Sequence, residues 1–139
     1  MYLVKKFFEY FFPKLREDDY KKAVYDLNKE ETKIFDSMRP YDKKHSVEVY
    51  KMLITDEILK DNILYRKLAL LHDCGKDNTD IFVRVFHKTG FRTKLRNHPE
   101  NGYKKLKNIN LELAELIKNH HNREYTEEMK QFQILDDKE

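Results

Sequence analysis

The stretch Leu70-Leu71-His72-Asp73-Cys74-Gly75-Lys76 decides how this chain is interpreted. It closes a run from Ile63 to Leu71 that is dense in apolar residues and therefore predicts a helix buried nearly all round. Charged side chains are almost never fully buried unless they are paired or bound to a metal. We therefore expect a functional site at this helix end, where Gly75 lets the backbone turn sharply and approach a ligand closely. Lys76 follows at a position where it could meet a phosphate.

Four further histidines are predicted to point inward. His45 lies on the apolar face of its predicted helix, and His98 precedes a proline suited to a first turn, which makes His98 the expected N-cap. On a helix predicted over Leu111–His121, His120 lies about 40° and His121 about 60° from the centre of the apolar face. A histidine–aspartate pair alone is weak evidence, because hydrogen-bonded pairs occur in many cores. Five inward histidines in one small domain favour a shared metal site.

The N-terminal 39 residues are predicted to be a helical extension rather than a separate domain. Aromatic and aliphatic residues recur every four positions between Leu3 and Phe12 and predict a short helix that ends or kinks at Pro13. Its stripe suits packing on the domain or on a second subunit, and the second arrangement would make a homodimer; a membrane-surface anchor is the alternative. Lysines and a glutamate interrupt the stripe and no small-residue cleavage site follows, which excludes a signal peptide.

Capping residues predict where several helices begin. Asp18 or Asp19 is expected to cap a helix that runs to about Leu27. Asn28 is expected to cap the next helix, with Glu31 as its capping-box partner. Further helices are predicted around residues 41–53, around 81–86 with Gly90 as the stop, and over 127–137.

Composition restricts the fold and the function. The 139 residues fit one domain, and only three Gly and three Pro, with no convincing alternating strand, predict an all-α fold. The 28 basic and 25 acidic residues leave a net charge of +3, too small a bias to require a nucleic-acid duplex or a membrane as partner. A single cysteine, Cys74, allows no intrachain disulfide and fits a cytoplasmic location. No stretch approaches the roughly 18 to 20 apolar residues of a membrane span.

The order of the polar residues resembles that of a known family. His45, then His72-Asp73, then His98, then His120-His121 and finally Asp136 are similar in order and spacing to the HD-domain superfamily of metal-dependent phosphohydrolases. The strings LLHDCGK, NHPENGY and LIKNHHN carry this resemblance, which covers residues 41–138. It implies a compact HD-type helical bundle over residues 40–139, preceded by the extension 1–39.

The resemblance also implies the metal ligands. The basic site of the family corresponds to His45, His72, Asp73 and a late aspartate, and its two-metal branches add histidines that match His98 and His120. Asp73 would bridge the two metals. The late aspartate is Asp136 or Asp137; helix geometry favours Asp136, which lies about 60° from the centre of the apolar face of its helix, whereas its neighbour lies nearly opposite.

The expected activity is hydrolysis of a phosphomonoester or phosphodiester of a nucleotide or another small phosphate compound. Imidazoles with carboxylates suit Mn, Fe, Co, Ni or Zn better than Mg, and we expect two such ions. A bound metal lowers the pKa of its water and so supplies the nucleophile, with Asp73 and Lys76 as catalytic residues. Lys76 would neutralise a phosphate oxygen, although a solvated lysine is the alternative. The basic residues between Arg84 and Arg96 suit a phosphate funnel or, more simply, a solvated surface.

Two other function classes remain open at this stage. A few two-metal relatives use a pair of irons to activate oxygen, and a non-catalytic module could bind a nucleotide or metal on the same residues. The chain continues past its paired histidines as HHNREYTEE, which departs from the branch of cyclic-dinucleotide phosphodiesterases that carries a Gly-Tyr-Pro motif. His121 could bind a third metal or substrate, or merely hydrogen-bond.

Overall fold

The computed structural model describes Leu3 and residues 15–76 and 97–139. These residues form seven helices and no strand, which confirms the predicted all-α class. The helices are α1 (Glu17–Tyr25), α2 (Lys29–Ser37), α3 (Pro40–Leu53), α4 (Ile63–Leu71), α5 (His98–Leu106), α6 (Leu111–Lys118) and α7 (Glu127–Asp137). Within the described ranges, none of these helices is both long and apolar enough to cross a bilayer. The aromatic stripe beyond Leu3, the helix predicted around residues 81–86, His87 and the basic residues between Arg84 and Arg96 lie outside the described residues.

Helix α4 lies at the centre of the fold. Its last four residues, from Leu68 to Leu71, are fully buried, as the dense apolar run predicts. It packs against α2, α3, α6 and α7, while α5 pairs with α6. A residue at the C-terminal end of α4 is therefore surrounded by several helices, and that is where His72 and Asp73 lie.

The N-terminal extension contributes to the same core. Ala23 of α1 and Phe35 of α2 are fully buried, and together with Leu27 and Met38 they belong to one apolar cluster with the α4 residues. Helix α1 packs on α3, and α2 packs on α4. The division of the chain at residue 39 stays a prediction, because this packing does not mark a boundary.

Side chains of asparagine and threonine fix the beginnings of four helices. At α2, Asn28 accepts a hydrogen bond from the backbone N–H of Glu31, and the Glu31 carboxylate accepts one from the N–H of Asn28, both at 2.8 Å. This confirms the predicted capping box. Asn62, Asn110 and Thr126 cap α4, α6 and α7 in the same way, each accepting from the N–H three residues on.

One predicted boundary in each of three helices is wrong. Helix α1 begins at Glu17 and ends at Tyr25, so Asp18 and Asp19 lie in its first turn and neither caps it. His98 is the first residue of α5, preceded by Asn97, and is not an N-cap. Helix α6 ends at Lys118 rather than His121, so the paired histidines lie in the turn that follows.

Gly75 permits a close approach between two parts of the backbone. A Cβ atom at this position would collide with the carbonyl oxygen of His98 and would lie 2.5 Å from the backbone nitrogen of Gly102. The close approach that this glycine permits in the structure is that of α5, and the predicted approach of a ligand stays a prediction. The contact fixes the turn carrying Asp73 directly against the helix that carries His98.

Candidate metal centre

The six residues predicted as metal ligands come from five different parts of the fold. His45 lies on α3, His72 and Asp73 lie in the turn after α4, His98 begins α5, His120 follows α6, and Asp136 lies on the last turn of α7. All six are brought together at the end of α4. His72, Asp73, His98 and His120 are buried, whereas His45 and Asp136 are partly exposed.

One half of the centre consists of His45, His72 and Asp136. The Nε2 atoms of His45 and His72 lie 3.0 and 3.2 Å from the same carboxylate oxygen, Oδ1 of Asp136. Oδ2 of Asp73 lies 3.4 Å from His72 Nε2 and 3.7 Å from His45 Nε2. Two imidazole nitrogens and two carboxylate oxygens therefore face a common point.

The other half consists of His98 and His120. Their Nε2 atoms lie 3.2 Å apart, and His98 Nε2 lies 3.3 Å from Oδ1 of Asp73. The two oxygens of Asp73 are thus divided, with Oδ2 facing His45 and His72 and Oδ1 facing His98. The exposed ring of His121 stands beside this half, with its centroid 5.0 Å from that of His98 and 4.2 Å from that of His120. Ligand atoms of His98, His120 and His121 are close enough together to hold one metal ion, and so are those of His45, His72 and Asp136.

Backbone carbonyls orient the two most buried imidazoles. The Nδ1 of His72 lies 2.9 Å from the carbonyl oxygen of Ala69, and the Nδ1 of His120 lies 2.6 Å from that of Ile117. A carbonyl oxygen can only accept, so each Nδ1 carries the proton and donates it. In a neutral ring the lone pair then belongs to Nε2, the atom that faces the centre. Such hydrogen bonds from the far ring nitrogen are typical of histidines that bind metals.

The charges within the centre are strongly coupled. Burial by itself would lower the pKa of His72, but Asp73 and Asp136 outweigh it and raise that pKa to about 9. Burial would raise the pKa of both aspartates, yet the neighbouring histidines, with Lys76 for Asp73, hold each pKa well below its usual range. Burial also lowers the pKa of His120, reinforced by His72 and His121, so that this ring is neutral. The centre therefore contains two carboxylate anions, and their negative charge favours a cation between them.

His72 supplies the test of whether a metal ion fits. Its Nε2 is fully buried and forms no hydrogen bond with any residue that the structure describes, although oxygens of Asp73 and Asp136 lie within 3.4 Å. A buried polar atom without a well-formed hydrogen bond is costly, even where anions lie near it. Imidazole nitrogens with carboxylate oxygens are a donor set suited to divalent transition metals. A cation between these atoms would satisfy both the nitrogen and the anions, so the residues fit a metal ion.

Lys76 and Cys74 both follow the His72–Asp73 pair in sequence, but their surroundings differ. The Lys76 Nζ lies 3.1 Å from Oδ2 of Asp73, and its side chain is largely buried. It therefore stands at the edge of the centre as a positive charge rather than as a solvated surface lysine. Burial raises the pKa of the Cys74 thiol to about 12, which makes a thiolate nucleophile unavailable near neutral pH.

Sequence reasoning missed several residues that support the centre. The ring of Phe132 packs edge-on against His72, with centroids 5.3 Å apart. Lys105 and Asn101 of α5 donate hydrogen bonds to the carbonyl oxygens of Cys74 and Gly75. Gln133 donates to two carbonyl oxygens in the turn after α6. Only Gln133 left a signal in the sequence, as a polar residue one helical turn after Met129 on the apolar side of its helix.

Comparison with known proteins gives one match. The sequence model of the family described as HD domain matches residues 43–138, more than half of the chain. The matched segment contains all six predicted ligands and excludes α1 and α2. Neither the curated proteins nor the solved structures include one that matches this chain.

Proposed function

Because the chain belongs to the HD domain family, a superfamily of metal-dependent phosphohydrolases, we propose that it hydrolyses a phosphomonoester or phosphodiester. The substrate is a nucleotide or another small phosphate compound. The observation that carries the proposal is the division of the Asp73 carboxylate between two groups of imidazoles, at 3.4 Å from His72 and 3.3 Å from His98. A carboxylate can serve two cations because each oxygen has its own lone pairs.

Each half of the centre would hold one ion. His45, His72 and Asp136 with one oxygen of Asp73 would form the first site, and His98 and His120 with the other oxygen would form the second. A pair of divalent transition metals supplies a water of lowered pKa and polarises a phosphoryl oxygen. Mn, Fe, Co, Ni and Zn suit this mixed imidazole and carboxylate set better than Mg does.

The residues of the chain prepare the site for such chemistry. The hydrogen bonds to Ala69 and Ile117 hold the Nδ1 proton of His72 and His120, so that Nε2 carries the lone pair in each neutral ring. His120 is neutral already, whereas His72, whose pKa is raised to about 9, gives up its Nε2 proton when an ion binds. The burial of Asp73 excludes competing water from its oxygens. Asp73 and Lys76 are the proposed catalytic pair: the aspartate would hold the ions, and the lysine ammonium would bind a non-bridging phosphate oxygen.

Among the residues that the structure describes, His121 is the exposed histidine beside the centre. Its ring lies against those of His98 and His120, and burial in that cluster lowers its pKa. A neutral ring at the open side of the site is suited to contact the substrate or a further ion. This placement supports a role in binding, secondary to that of His120.

The proposal is tested by metal analysis of protein purified without chelators, followed by a phosphatase and phosphodiesterase panel with each candidate metal. We expect two transition-metal ions per chain and turnover of at least one phosphate ester. Asp136→Asn should abolish that turnover, whereas Asp137→Asn, on the same helix but largely exposed and paired with Arg123, should not. Two irons with oxygen consumption and no phosphate release would overturn the proposal in favour of an oxygenase. Bound metal without any turnover would leave only a binding module.

A further inference from the structure

We infer that Gln133 is a positioning residue that sets the geometry of the His98–His120 half of the metal centre. Its side chain is buried, with 4% of its surface exposed, although glutamine is mostly found on protein surfaces. Its Nε2 donates to the carbonyl oxygen of His120 at 3.1 Å and to that of Asn122 at 2.9 Å. This inference rests on the proposed metal-dependent function.

The turn that carries His120 needs such a donor. Helix α6 ends at Lys118, and carbonyls beyond a helix end have no intrahelical partner. The carbonyl oxygens of His120 and Asn122 both accept from the Gln133 amide, whose NH₂ can donate two hydrogen bonds without bringing a charge into the core. Both contacts are to acceptors, so the orientation of the amide is fixed.

His120 is thereby held at both of its ends. Its ring donates through Nδ1 to Ile117, inside α6, and its backbone carbonyl accepts from Gln133, on α7. These two contacts determine where the Nε2 atom lies, 3.2 Å from that of His98. If the carbonyl were released, the turn could rotate about the end of α6 and carry the imidazole with it.

Gln133 also joins the two halves of the centre. It lies three residues before Asp136 on α7, and residues at this spacing share one face of a helix. The same helix therefore carries an aspartate in the His45–His72 half and the donor that holds the His120 turn. The distance between the two halves is set through α7 as well as through Asp73.

Gln133→Met removes both donors and nearly preserves the volume of the side chain. The chain offers a matched control in Gln131→Met, since Gln131 lies on the same helix and donates one hydrogen bond, at 2.7 Å, to Asp56, away from the centre. Gln133→Asn is a milder second variant, because it keeps an amide that is one methylene too short to reach both carbonyls.

The experiment titrates metal-free full-length protein with cobalt(II) and follows heat and visible absorption, which reports the coordination of the ion. His98→Ala identifies the binding step that belongs to the second half. We expect Gln133→Met to weaken that step about 10- to 100-fold and to change its spectrum, with the first step nearly unchanged. The affinity of Gln133→Asn for the second ion should lie between those of Gln133→Met and the wild type. If Gln133→Met does not fold, Gln133→Asn alone tests the inference. Gln131→Met should match the wild type at both steps.

Several results would overturn the inference. Wild-type affinity in both Gln133 variants, or equal weakening of both steps in the Gln133 and Gln131 variants, would reduce Gln133 to a structural residue and leave the proposed function intact. A wild-type protein that binds one ion would remove the second half, while a single-metal hydrolase could stand. A wild-type protein that binds no ion and hydrolyses no phosphate ester would end the proposed function and this inference together.

Discussion

At the scale of single residues, Asp73 is the side chain on which the proposed chemistry depends most. Its two oxygens face different groups of histidines. Among the contacts described above, the other neighbour of this buried carboxylate is the ammonium group of Lys76. The neighbouring pKa values show the same dependence, since the His72 pKa is raised by the charges of Asp73 and Asp136 against the opposing effect of burial. A change of charge at this one carboxylate should therefore be felt throughout the centre.

Asp73→Asn should abolish hydrolysis while the helices remain folded. The amide keeps the shape of the side chain but removes the negative charge, and two cations held close together repel each other without it. We expect loss of at least one bound ion and a fall in turnover of several orders of magnitude. Metal stoichiometry, circular dichroism and phosphodiester turnover measure the three effects. Asp26→Asn is a suitable control, because Asp26 is also a largely buried, paired aspartate but contacts Tyr50 and Arg66 instead.

His120 and His121 should differ in their effect on metal binding. His120 is buried and its ring is oriented by Ile117, whereas His121 is exposed. We expect His120→Ala to lose the second ion and His121→Ala to retain it, with a weaker effect confined to substrate binding and therefore to KM. Bound metal in each variant, measured after gel filtration, checks this. Greater metal loss at position 121 would reverse the assignment.

At the scale of the helices, the contact between the α4 turn and α5 is the tightest constraint on the site. Gly75→Ala would drive a Cβ into the backbone of His98, which cannot move aside without shifting a proposed ligand. Gly102→Ala would instead bring a Cβ to 2.6 Å from the Cγ2 methyl of Ile117, which is a buried side-chain atom rather than the backbone of a proposed ligand. We expect destabilisation of roughly 1–3 kcal/mol or more for Gly75→Ala, and less for Gly102→Ala.

Thermal or denaturant unfolding measures that difference, and metal titration separates it from an effect on the site. Gly75→Ala should weaken metal binding as well as the fold, because the misplaced residue is His98. Gly102→Ala should alter stability with metal affinity largely preserved. Equal metal affinity in both variants would contradict the view that this glycine positions α5.

The helices also show which parts of the fold could be read from the sequence. The dense apolar run at Ile63–Leu71 and the reciprocal pattern of Asn28 with Glu31 predicted α4 and the start of α2, because both signals are local. The end of α6 was mispredicted because His120 and His121 continue the spacing of its apolar face, while the chain itself leaves the helix after Lys118. A helical wheel describes direction around an axis and carries no information on where the axis stops.

The sequence predicts the proposed metal ligands but not the residues that hold them in place. The six proposed ligands were found because histidines and aspartates are rare in apolar surroundings and their order resembles a family. The hydrogen bonds from Gln133, Lys105 and Asn101 were missed because each joins residues between 11 and 31 positions apart in sequence, and nothing local marks them. The close approach at Gly75 was missed for the same reason.

At the scale of the whole molecule, one buried carboxylate of the predicted N-terminal extension contacts the segment that the HD family model matches. Glu31 of α2 is fully buried and accepts hydrogen bonds from Lys67 of α4 and from Asn110, the cap of α6, in addition to its own capping bond. The Lys67 Nζ approaches to 2.9 Å. A helix outside the family match thus contacts α4 and the cap of α6 inside it, and α4 ends at the candidate metal centre.

The carboxylate of Glu31 should make this attachment sensitive to acid. Burial by itself would raise the pKa of Glu31, but the hydrogen bonds from Asn28 and Asn110 and the charge of Lys67 outweigh it and lower the pKa from its usual 4.5. A carboxyl whose pKa is lower in the folded than in the unfolded chain stabilises the fold fully above the unfolded value. That contribution is lost as pH falls from about 4.5 through the folded pKa.

Glu31→Gln should therefore destabilise the protein at neutral pH and matter less in acid. The amide leaves Lys67 without its anion and turns an NH₂ group toward other donors, which should cost roughly 1–3 kcal/mol. We expect the difference in the free energy of unfolding between wild type and variant to be constant above about pH 5 and to shrink as pH falls below about 4.5. Urea unfolding of metal-free protein between pH 7 and pH 3 measures this difference without interference from metal release. Glu30→Gln, an exposed neighbour on the same helix, should show a small difference at every pH. A Glu31→Gln difference that stayed the same down to pH 3 would show that the buried charge does not hold the extension to the domain.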